Sequence, residues 1–463
     1  MRSPGIRSAG LKIAAVLCAL LLVSGSAAAS DGAPFMWPCR SGMSRQADAH
    51  FVVWACQDGS GARRAESAAL GAAAALYGQM TALMGRPLPD SGGIAGGGDT
   101  RIDVYLLGGE QSLTRRGRTS AVGGGDMAAA MFDNQHGTAS SAYLLLDRSR
   151  ARIGQFTSDV AHELFHLLAY HYNTGLCDGR QYWFTEASAV WAESMFAPGT
   201  ADTEVYSRFT SDFQPHPELS LLATGHDHAY ASFIWPYFMQ QEKGAGSIAR
   251  AWKAMTGLSS CAAMTAAVNA QLPFGRHFAD FAVRNLGGRA PAVTGVAPPI
   301  PAGLGPRYRQ LHAEFPANLP AISPQQPAPP TSRPRTVKIS ISPLAARYDH
   351  YQIRCPSDEA ILSFSGISNR SRLDINAIIA DNRHTGRAPY HRIRVTSGQF
   401  PVCFPAAGSG SVDVYLALAN HDDRPGHTVT GTYTLTTQTA CPTRPPALSS
   451  SLAECYAGRE SHP

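Results

Sequence analysis

Two histidines and a glutamate are spaced in this chain as hydrolytic metal chemistry requires. Residues 162–166 have the sequence His-Glu-Leu-Phe-His. In a helix, His162 and His166 stand at positions i and i+4, so that both imidazoles lie on one face. Two such imidazoles can occupy adjacent corners of a zinc tetrahedron, and Glu163 can act as general base toward a metal-bound water. The pattern therefore predicts a catalytic zinc centre with an open fourth position.

The flanking residues favour the helix that this spacing needs. Apolar residues continue at helical intervals as Val160, Leu164, Leu167 and Leu168. Thr157 or Ser158 is expected to cap the N-terminus, because hydroxyl side chains accept from the free backbone N–H groups there. Residues 173–175, Asn-Thr-Gly, are expected to end the helix.

A third histidine on the same helix is excluded. The extended pattern H-E-x-x-H-x-x-G-x-x-H needs glycine at 169 and histidine at 172, where this chain has Ala169 and Tyr172. His171 is one residue out of register, which is about 100° off the ligand face of an α-helix. The third ligand must therefore come from elsewhere.

A carboxylate on a second helix is the remaining source of a third ligand. Residues 183–195 are helix-forming, and the connection 173–182 is long enough to place the two helices side by side. Glu186 then faces the two histidines. Asp178 in the connection and Glu193 two turns deeper compete with Glu186 for the same position.

These residues resemble the gluzincins, the thermolysin-like zinc metallopeptidases, whose spacing is H-E-x-x-H-x19-E. Residues 183–193, Trp-Phe-Thr-Glu-Ala-Ser-Ala-Val-Trp-Ala-Glu, are similar to a group of secreted bacterial metalloproteases. The resemblance covers residues 31–286 well and the C-terminal part loosely. It implies one Zn²⁺ per chain, held by His162, His166 and Glu186, with Glu163 as catalytic base.

The chain departs from that pattern at Val190. Thermolysin has an acidic residue four positions after the ligand glutamate, and this residue supports a ligand histidine. Val190 occupies that position here. The resemblance therefore implies either a different support for the ligands or a weaker metal site.

Peptide hydrolysis also needs a hydrogen-bond donor for the oxyanion of the tetrahedral intermediate. Relatives use a histidine or tyrosine from a downstream helix, and the candidates here are His226, His228 and Tyr230. Tyr230 is favoured because an adjacent packed helix would fix its position. Residues 142–146, Ala-Tyr-Leu-Leu-Leu, form either an ordinary core strand or an edge strand that binds an extended peptide.

The N-terminus and the cysteines predict export. Residues 1–29 have the basic start, the short apolar run and the small-residue site of a signal peptide, which places the chain outside the cell or in the periplasm. No later segment is apolar over the length of a membrane span. Eight cysteines follow and are expected to form disulfides: Cys39, Cys56, Cys177, Cys261, Cys355, Cys403, Cys441 and Cys455. Nearest-neighbour pairing would join 39–56, 177–261, 355–403 and 441–455.

Composition and strand signals divide the rest of the chain. We predict an α+β zincin-like catalytic domain at 30–296, a proline-rich linker at 297–335, an all-β sandwich at 336–441 and a tail at 442–463. Without the first 29 residues, 36 basic residues face 34 acidic ones. This near-neutral balance gives no indication of nucleic acid binding.

The sequence thus predicts an exported zinc-dependent endopeptidase that acts on peptide or protein substrates. The alternative is a catalytically inactive zincin-fold protein that binds or adheres through its sandwich. A further alternative keeps the zinc but hydrolyses a substrate other than a peptide. The oligomeric state, the cleavage specificity and the ligand of the sandwich are left open.

Overall fold

The computed structural model describes residues 42–57, 61–90, 99–108, 111–115, 118–121, 128–152, 156–199, 208, 212–213, 215–225, 227–289, 326–327, 335–354, 359–381, 390–394, 399–402 and 411–438. These residues fall into two compact units. The first contains the described residues up to 215 and those at 221–273, and the second contains 216–220 and those from 274 onward. The division therefore falls at 273, whereas the sequence places the end of the catalytic domain at 296. The predicted signal peptide 1–29 and tail 442–463 lie outside the described residues.

The first unit contains a five-stranded mixed sheet. Its strands are β1 (Met43–Ala47), β2 (Phe51–Cys56), β3 (Ile102–Leu107), β6 (Ala128–His136) and β7 (Ala139–Asp147), in the order β1-β2-β3-β7-β6. The central strands β2, β3 and β7 run parallel, and β1 and β6 are antiparallel to their neighbours. Two short hairpins accompany the sheet: β4 (Ser112–Arg115) with β5 (Arg118–Ala121), and β8 (Leu176–Cys177) with β9 (Arg180–Gln181).

Seven α-helices have defined bounds among the described residues of the first unit. They are α1 (Ala62–Met84), α2 (Phe156–Tyr170), α3 (Trp183–Phe196), α4 (His228–Ala231), α5 (Ile234–Lys243), α6 (Gly246–Ala254) and α7 (Cys261–Gln271). Helix α1 is an alanine-rich segment, and it ends at Gly85, where φ is 89°. None of the described helices combines the length and the apolar character needed to cross a membrane.

The sheet is buried on both faces. One face carries the apolar cluster Val52, Trp54, Tyr105, Leu107, Leu113, Tyr143 and Leu145. On the other face Phe51 meets Tyr77 of α1, with ring centroids 5.4 Å apart, and α2 packs against β7. Strand β7 contains residues 142–146, which were one candidate for the edge strand. It pairs instead with both β3 and β6, because the antiparallel β6 covers its outer side.

The second unit is rich in β structure. Its strands are β10 (Gln326–Pro327), β11 (Arg335–Ile341), β12 (Ala345–Arg354), β13 (Glu359–Ser365), β14 (Leu373–Asp381), β15 (Tyr390–Arg394), β16 (Gln399–Val402), β17 (Ser411–Asn420) and β18 (Val429–Gln438), with helix α8 (Phe274–Arg289). They form the sheets β10-β12-β17-β14-β15 and β11-β18-β13-β16. Apolar residues of both sheets share one core, which includes Ile375, Leu416, Tyr433 and Leu435. This packing of two mainly antiparallel sheets agrees with the predicted strand pattern.

The described cysteines are disulfide-bonded. Cys177 and Cys261 form the predicted bridge, with Cα atoms 4.9 Å apart. Cys56 is also in a disulfide. The other predicted disulfide cysteines, Cys39, Cys355, Cys403, Cys441 and Cys455, lie outside the described residues.

Candidate metal centre

Helices α2 and α3 bring the three predicted metal ligands together. His162 and His166 lie one turn apart on α2, and Glu186 lies in the first turn of α3. The two imidazole Nε2 atoms are 3.0 Å apart. The Oε2 atom of Glu186 is 3.1 Å from Nε2 of His162 and 3.4 Å from Nε2 of His166. All three side chains are buried, and together they form a group that could hold a metal ion.

The spacing of these atoms suits a tetrahedral ion. Ligand atoms about 2.0–2.1 Å from a tetrahedral metal stand roughly 3.3–3.4 Å from one another. The three observed separations of 3.0, 3.1 and 3.4 Å are close to this value. Imidazole nitrogen and carboxylate oxygen are ligands that zinc commonly takes. The residues present therefore fit a divalent metal ion such as zinc.

Glu193 fixes the orientation of His162 through a hydrogen bond to Nδ1, the ring nitrogen that does not face the other two candidate ligands. The Nδ1 atom of His162 donates to Oε1 of Glu193 over 2.6 Å, since a carboxylate can only accept. The Oε2 atom of Glu193 accepts from Ser158 Oγ over 3.1 Å, and Arg208 donates to Oε1 over 3.3 Å. With its proton on Nδ1, a neutral His162 would have its Nε2 lone pair available to bind a metal ion.

The contacts of Glu193 with His162 and Ser158 differ from what the sequence predicted for Glu193 and for Ser158. Glu193 was a competitor for the third ligand position, and the structure places it against His162 Nδ1 instead. Ser158 was expected to cap α2, but the helix already begins at Phe156, and the Ser158 hydroxyl donates to Glu193 from inside the first turn. The support that the sequence did not find at Val190 is thus supplied by a carboxylate three residues further along α3.

Asp178, the other competitor for the third position, lies away from the histidines in the turn of the β8–β9 hairpin. Its Oδ2 atom accepts from the backbone N–H of Cys261 over 3.1 Å, at the start of α7. Gln181, at the end of the same hairpin, donates from Nε2 to Oε1 of Glu186. Glu186 therefore has one oxygen toward the histidines and the other held by an amide.

The group has more buried negative charge than positive charge. Glu163, Glu186 and Glu193 are each at most 6% exposed. Among the described residues, the ion pairs that reach these carboxylates are those of the two histidines and of Arg208. With neutral histidines, three carboxylates face one guanidinium, which leaves about two negative charges. A divalent cation would balance them, and burying them unbalanced would be costly.

The pKa shifts of His162, Glu186 and Glu193 also indicate that positive charge is favoured at this site. Burial acts to lower the pKa of His162, but the hydrogen bonds to Glu186 and Glu193 raise it well above its ordinary value. Burial acts to raise the pKa of Glu186, but His166 and His162 hold it well below its ordinary value. The pKa of Glu193 is lowered in the same way, by Arg208 and His162 against burial. A cation between the ligand atoms would satisfy the same carboxylates.

The pKa of Glu163 is shifted in the opposite direction from those of Glu186 and Glu193. Burial raises the pKa of its carboxyl group, and the nearby histidines only partly offset this effect. It follows His162 directly on α2 and is 6% exposed. A carboxylate of raised pKa is a better proton acceptor than an ordinary one, as a general base requires.

Of the two oxyanion-donor candidates that the structure describes, Tyr230 is the one with a ring contact to a candidate metal ligand. Its ring stacks on His162 with centroids 6.0 Å apart, and the guanidinium of Arg208 lies 5.1 Å from the ring centre. The charge of Glu186, followed by burial, raises the pKa of the Tyr230 hydroxyl well above its ordinary value, so that the hydroxyl keeps its proton. His228 is buried and stacks on Phe213. His226 lies outside the described residues.

Sequence reasoning missed three contacts of this site. The role of Glu193 was readable in part, because it lies seven residues after Glu186 and hence two turns along the same helix face. The Asp178-Gly179 pair is a hairpin signal that could have placed Gln181 beside Glu186. No local pattern marks Arg208, because it reaches Glu193 and Tyr230 through tertiary contacts.

Comparison with known proteins adds no family assignment. No protein-family model matches the chain, and no curated protein does. Among solved structures, the chain matches a periplasmic inhibitor of g-type lysozyme from Aeromonas hydrophila at 19% identity, over 25% of this chain and 96% of the other, with a TM-score of 0.18. It also matches the pre-peptidase C-terminal domain of a collagenase from Bacillus anthracis at 16% identity, over 25% and 97%, with a TM-score of 0.17. At these scores neither likeness supports a conclusion about fold or function.

Proposed function

We propose that the chain is an exported zinc-dependent endopeptidase with a zincin-like, thermolysin-type catalytic unit. The observation that carries the proposal is the convergence of His162 Nε2, His166 Nε2 and Glu186 Oε2 within 3.4 Å of one another, beside the buried carboxylate of Glu163. Two histidines and one carboxylate leave one position of a tetrahedral metal open, as catalytic zinc sites do. A structural zinc site would fill all four positions with protein ligands.

The protein side chains have separate tasks in this mechanism. A zinc ion bound at the site supplies Lewis acidity to a water molecule and to the scissile carbonyl. Glu163 accepts the proton of the attacking water and returns it to the leaving amine, a task suited to its raised pKa. Glu193 keeps the His162 imidazole oriented throughout. Tyr230 holds its proton and can donate it in a hydrogen bond to the developing oxyanion.

Strand β6 is the proposed binding edge for an extended peptide. Among the described strands it pairs only with β7, so its outer backbone groups face away from the sheet. Its register shifts between Phe132 and Gln135, and such bulges are common next to active sites. The Phe132 ring contacts Tyr170 at 4.7 Å, and Tyr170 stacks on His166 at 5.8 Å. The rings of Phe132 and Tyr170 thus connect strand β6 with the proposed ligand His166 by direct contacts.

The test is the substitution Glu163→Gln, which keeps the size of the side chain and removes its basicity. We expect zinc content to stay near one ion per chain and hydrolysis of a denatured protein to fall by about 10²–10⁴-fold. Glu66→Gln is the matched control, because Glu66 is a buried carboxylate of the same unit that hydrogen-bonds Ser44 and Gln46. Unchanged hydrolysis by the Glu163 variant would refute the mechanism.

An inactive binding protein remains the alternative hypothesis. Its support in the sequence was the missing acidic residue at Val190, and the contact of Glu193 with His162 removes that argument. Wild-type protein that binds zinc but cleaves neither denatured protein nor peptides would favour this alternative. A zinc-dependent activity on another class of ester or amide would instead favour the non-peptide hydrolase.

A further inference from the structure

One side chain of the candidate metal centre lies on the surface of the molecule. Gln181 is the last residue of the β8–β9 hairpin and is exposed, as is Arg180 before it. Its Nε2 atom nevertheless donates to Oε1 of the buried Glu186. Because the residue is exposed, this hydrogen bond, and not burial in a core, gives the Gln181 side chain a defined position.

With this hydrogen bond in place, the two carboxylate oxygens of Glu186 have different partners. Oε2 lies 3.1 and 3.4 Å from the Nε2 atoms of the two histidines. Oε1 faces the Gln181 amide. A carboxylate that is free at both oxygens can bind a metal through either one or both of them, and two-oxygen binding would take up the position that the substrate needs.

The hairpin that carries Gln181 is fixed at its turn. Asp178 and Gly179 both have positive φ, 48° and 78°, as a two-residue type I′ turn requires. The backbone N–H of Asp178 donates to Ser259, and the disulfide joins Cys177 to Cys261. These contacts anchor the outer end of the hairpin to the start of α7.

The base of the hairpin is fixed to α3. The N–H of Tyr182 donates to the carbonyl of Gly175 over 2.8 Å. A side chain at Gly175 would meet Thr185 Oγ1 at 2.2 Å, and the φ of 72° there also favours glycine. Gly175 and Thr185 therefore lock the hairpin against the first turn of α3, where Glu186 lies.

We propose that Gln181 is a positioning residue of the metal centre. It holds Glu186 so that the carboxylate binds the metal through Oε2 alone, and the disulfide-anchored hairpin holds Gln181. The inference rests on the proposed zinc site, and it assigns to the Cys177–Cys261 disulfide a role in metal coordination in addition to stability.

The test is Gln181→Met, which keeps the length of the side chain and removes the amide. We expect zinc affinity, measured by competition with a chelator, to fall about tenfold, as is common for residues that support a metal ligand. In the Co²⁺-substituted protein, the visible absorption should weaken as Glu186 binds through both oxygens and the coordination number rises. Arg180→Met is the matched control on the same hairpin and should change neither property.

A second variant separates positioning from folding. Cys177→Ser combined with Cys261→Ser should shift zinc affinity and the Co²⁺ spectrum in the same direction as Gln181→Met, while circular dichroism shows a retained fold. Wild-type zinc affinity and an unchanged Co²⁺ spectrum in Gln181→Met would overturn the inference and leave the zinc site standing. Wild-type protein that takes up no zinc would overturn the proposed function, and this inference with it.

Discussion

Both units of this chain bury carboxylates, but they differ in how the charge is balanced. In the second unit, Asp349 accepts from Arg347 and from the Tyr433 hydroxyl, and Asp374 is paired with Arg394 and His421. Each of these carboxylates has a cationic partner within the unit. In the first unit, three buried carboxylates share one arginine and two histidines.

The difference shows how the candidate metal centre departs from a structural network of paired charges. Paired charges in the second unit help to define one packing arrangement of the strands. With neutral histidines, the excess negative charge between α2 and α3 would destabilise the fold unless a cation supplies the balance. A site that is kept short of positive charge is suited to bind a metal ion.

The largest expected effect comes from removing one ligand of the charge-deficient group. Glu186→Ala should lower zinc affinity by more than about 100-fold, since two imidazoles alone leave half of the tetrahedron to water. Isothermal titration of Zn²⁺ into the apo-protein measures this change. Asp349→Asn, which removes a buried carboxylate from the other unit, should leave zinc affinity unchanged. Equal affinity in the Glu186 variant and the wild type would show that a different group holds the ion.

The second effect concerns the carboxylate behind His162. Glu193→Gln keeps the size of the side chain but removes a charge that faces both His162 and Arg208. We expect zinc affinity to fall about 10–100-fold, as it does when hydrogen-bond partners of ligand histidines are changed. Chelator competition gives the affinity, and Ser194→Ala is the control on the same helix. If the loss is below about twofold, packing alone orients His162.

The third effect tests the balanced network of the second unit. Asp349→Asn should destabilise that unit by about 1–2 kcal/mol, because Arg347 and the Tyr433 hydroxyl lose a charged acceptor. The expected loss of stability is small because Arg347 is one-third exposed and partly solvated. Urea unfolding measures the change, with Lys338→Gln on the neighbouring strand as an exposed control. A change equal to that of the control would mean that Asp349 contributes no stability.

The smallest effect is a pH dependence of stability in the second unit. Burial acts to raise the pKa of Asp374, but hydrogen bonds from His421 and Arg394 lower it below its ordinary value of 3.8. A lowered folded-state pKa means that the stabilisation is complete above about pH 4 and is lost as the pH falls through the folded-state value. We expect at most about 1 kcal/mol, because Arg394 is largely exposed. Asp374→Asn should remove this part of the acid sensitivity, as followed by thermal unfolding between pH 2 and pH 5.

Local periodicity made much of the site predictable. The shared face of His162 and His166 follows from their i and i+4 positions in a helix, which the flanking residues favour. The strands with strong alternation in the second unit were also recognisable. These features depend on residues within a few positions of one another, so the sequence contains the information directly.

Contacts between helices and strands were harder to predict from the sequence. Only the way α3 packs on α2 decides that His162 meets Glu193, three residues beyond Val190. The same is true of β6, which takes the edge position among the described strands because it pairs outside β7, and of the stacking of Tyr230 on His162.

The sequence by itself determined the types of the candidate ligands and their order along the chain, because these follow from the residues and the period of a helix. The tertiary structure decided the charge balance around the ligands. That balance depends on how close Arg208, Glu193 and Gln181 come to the ligands, and these distances are set by packing between elements far apart in sequence.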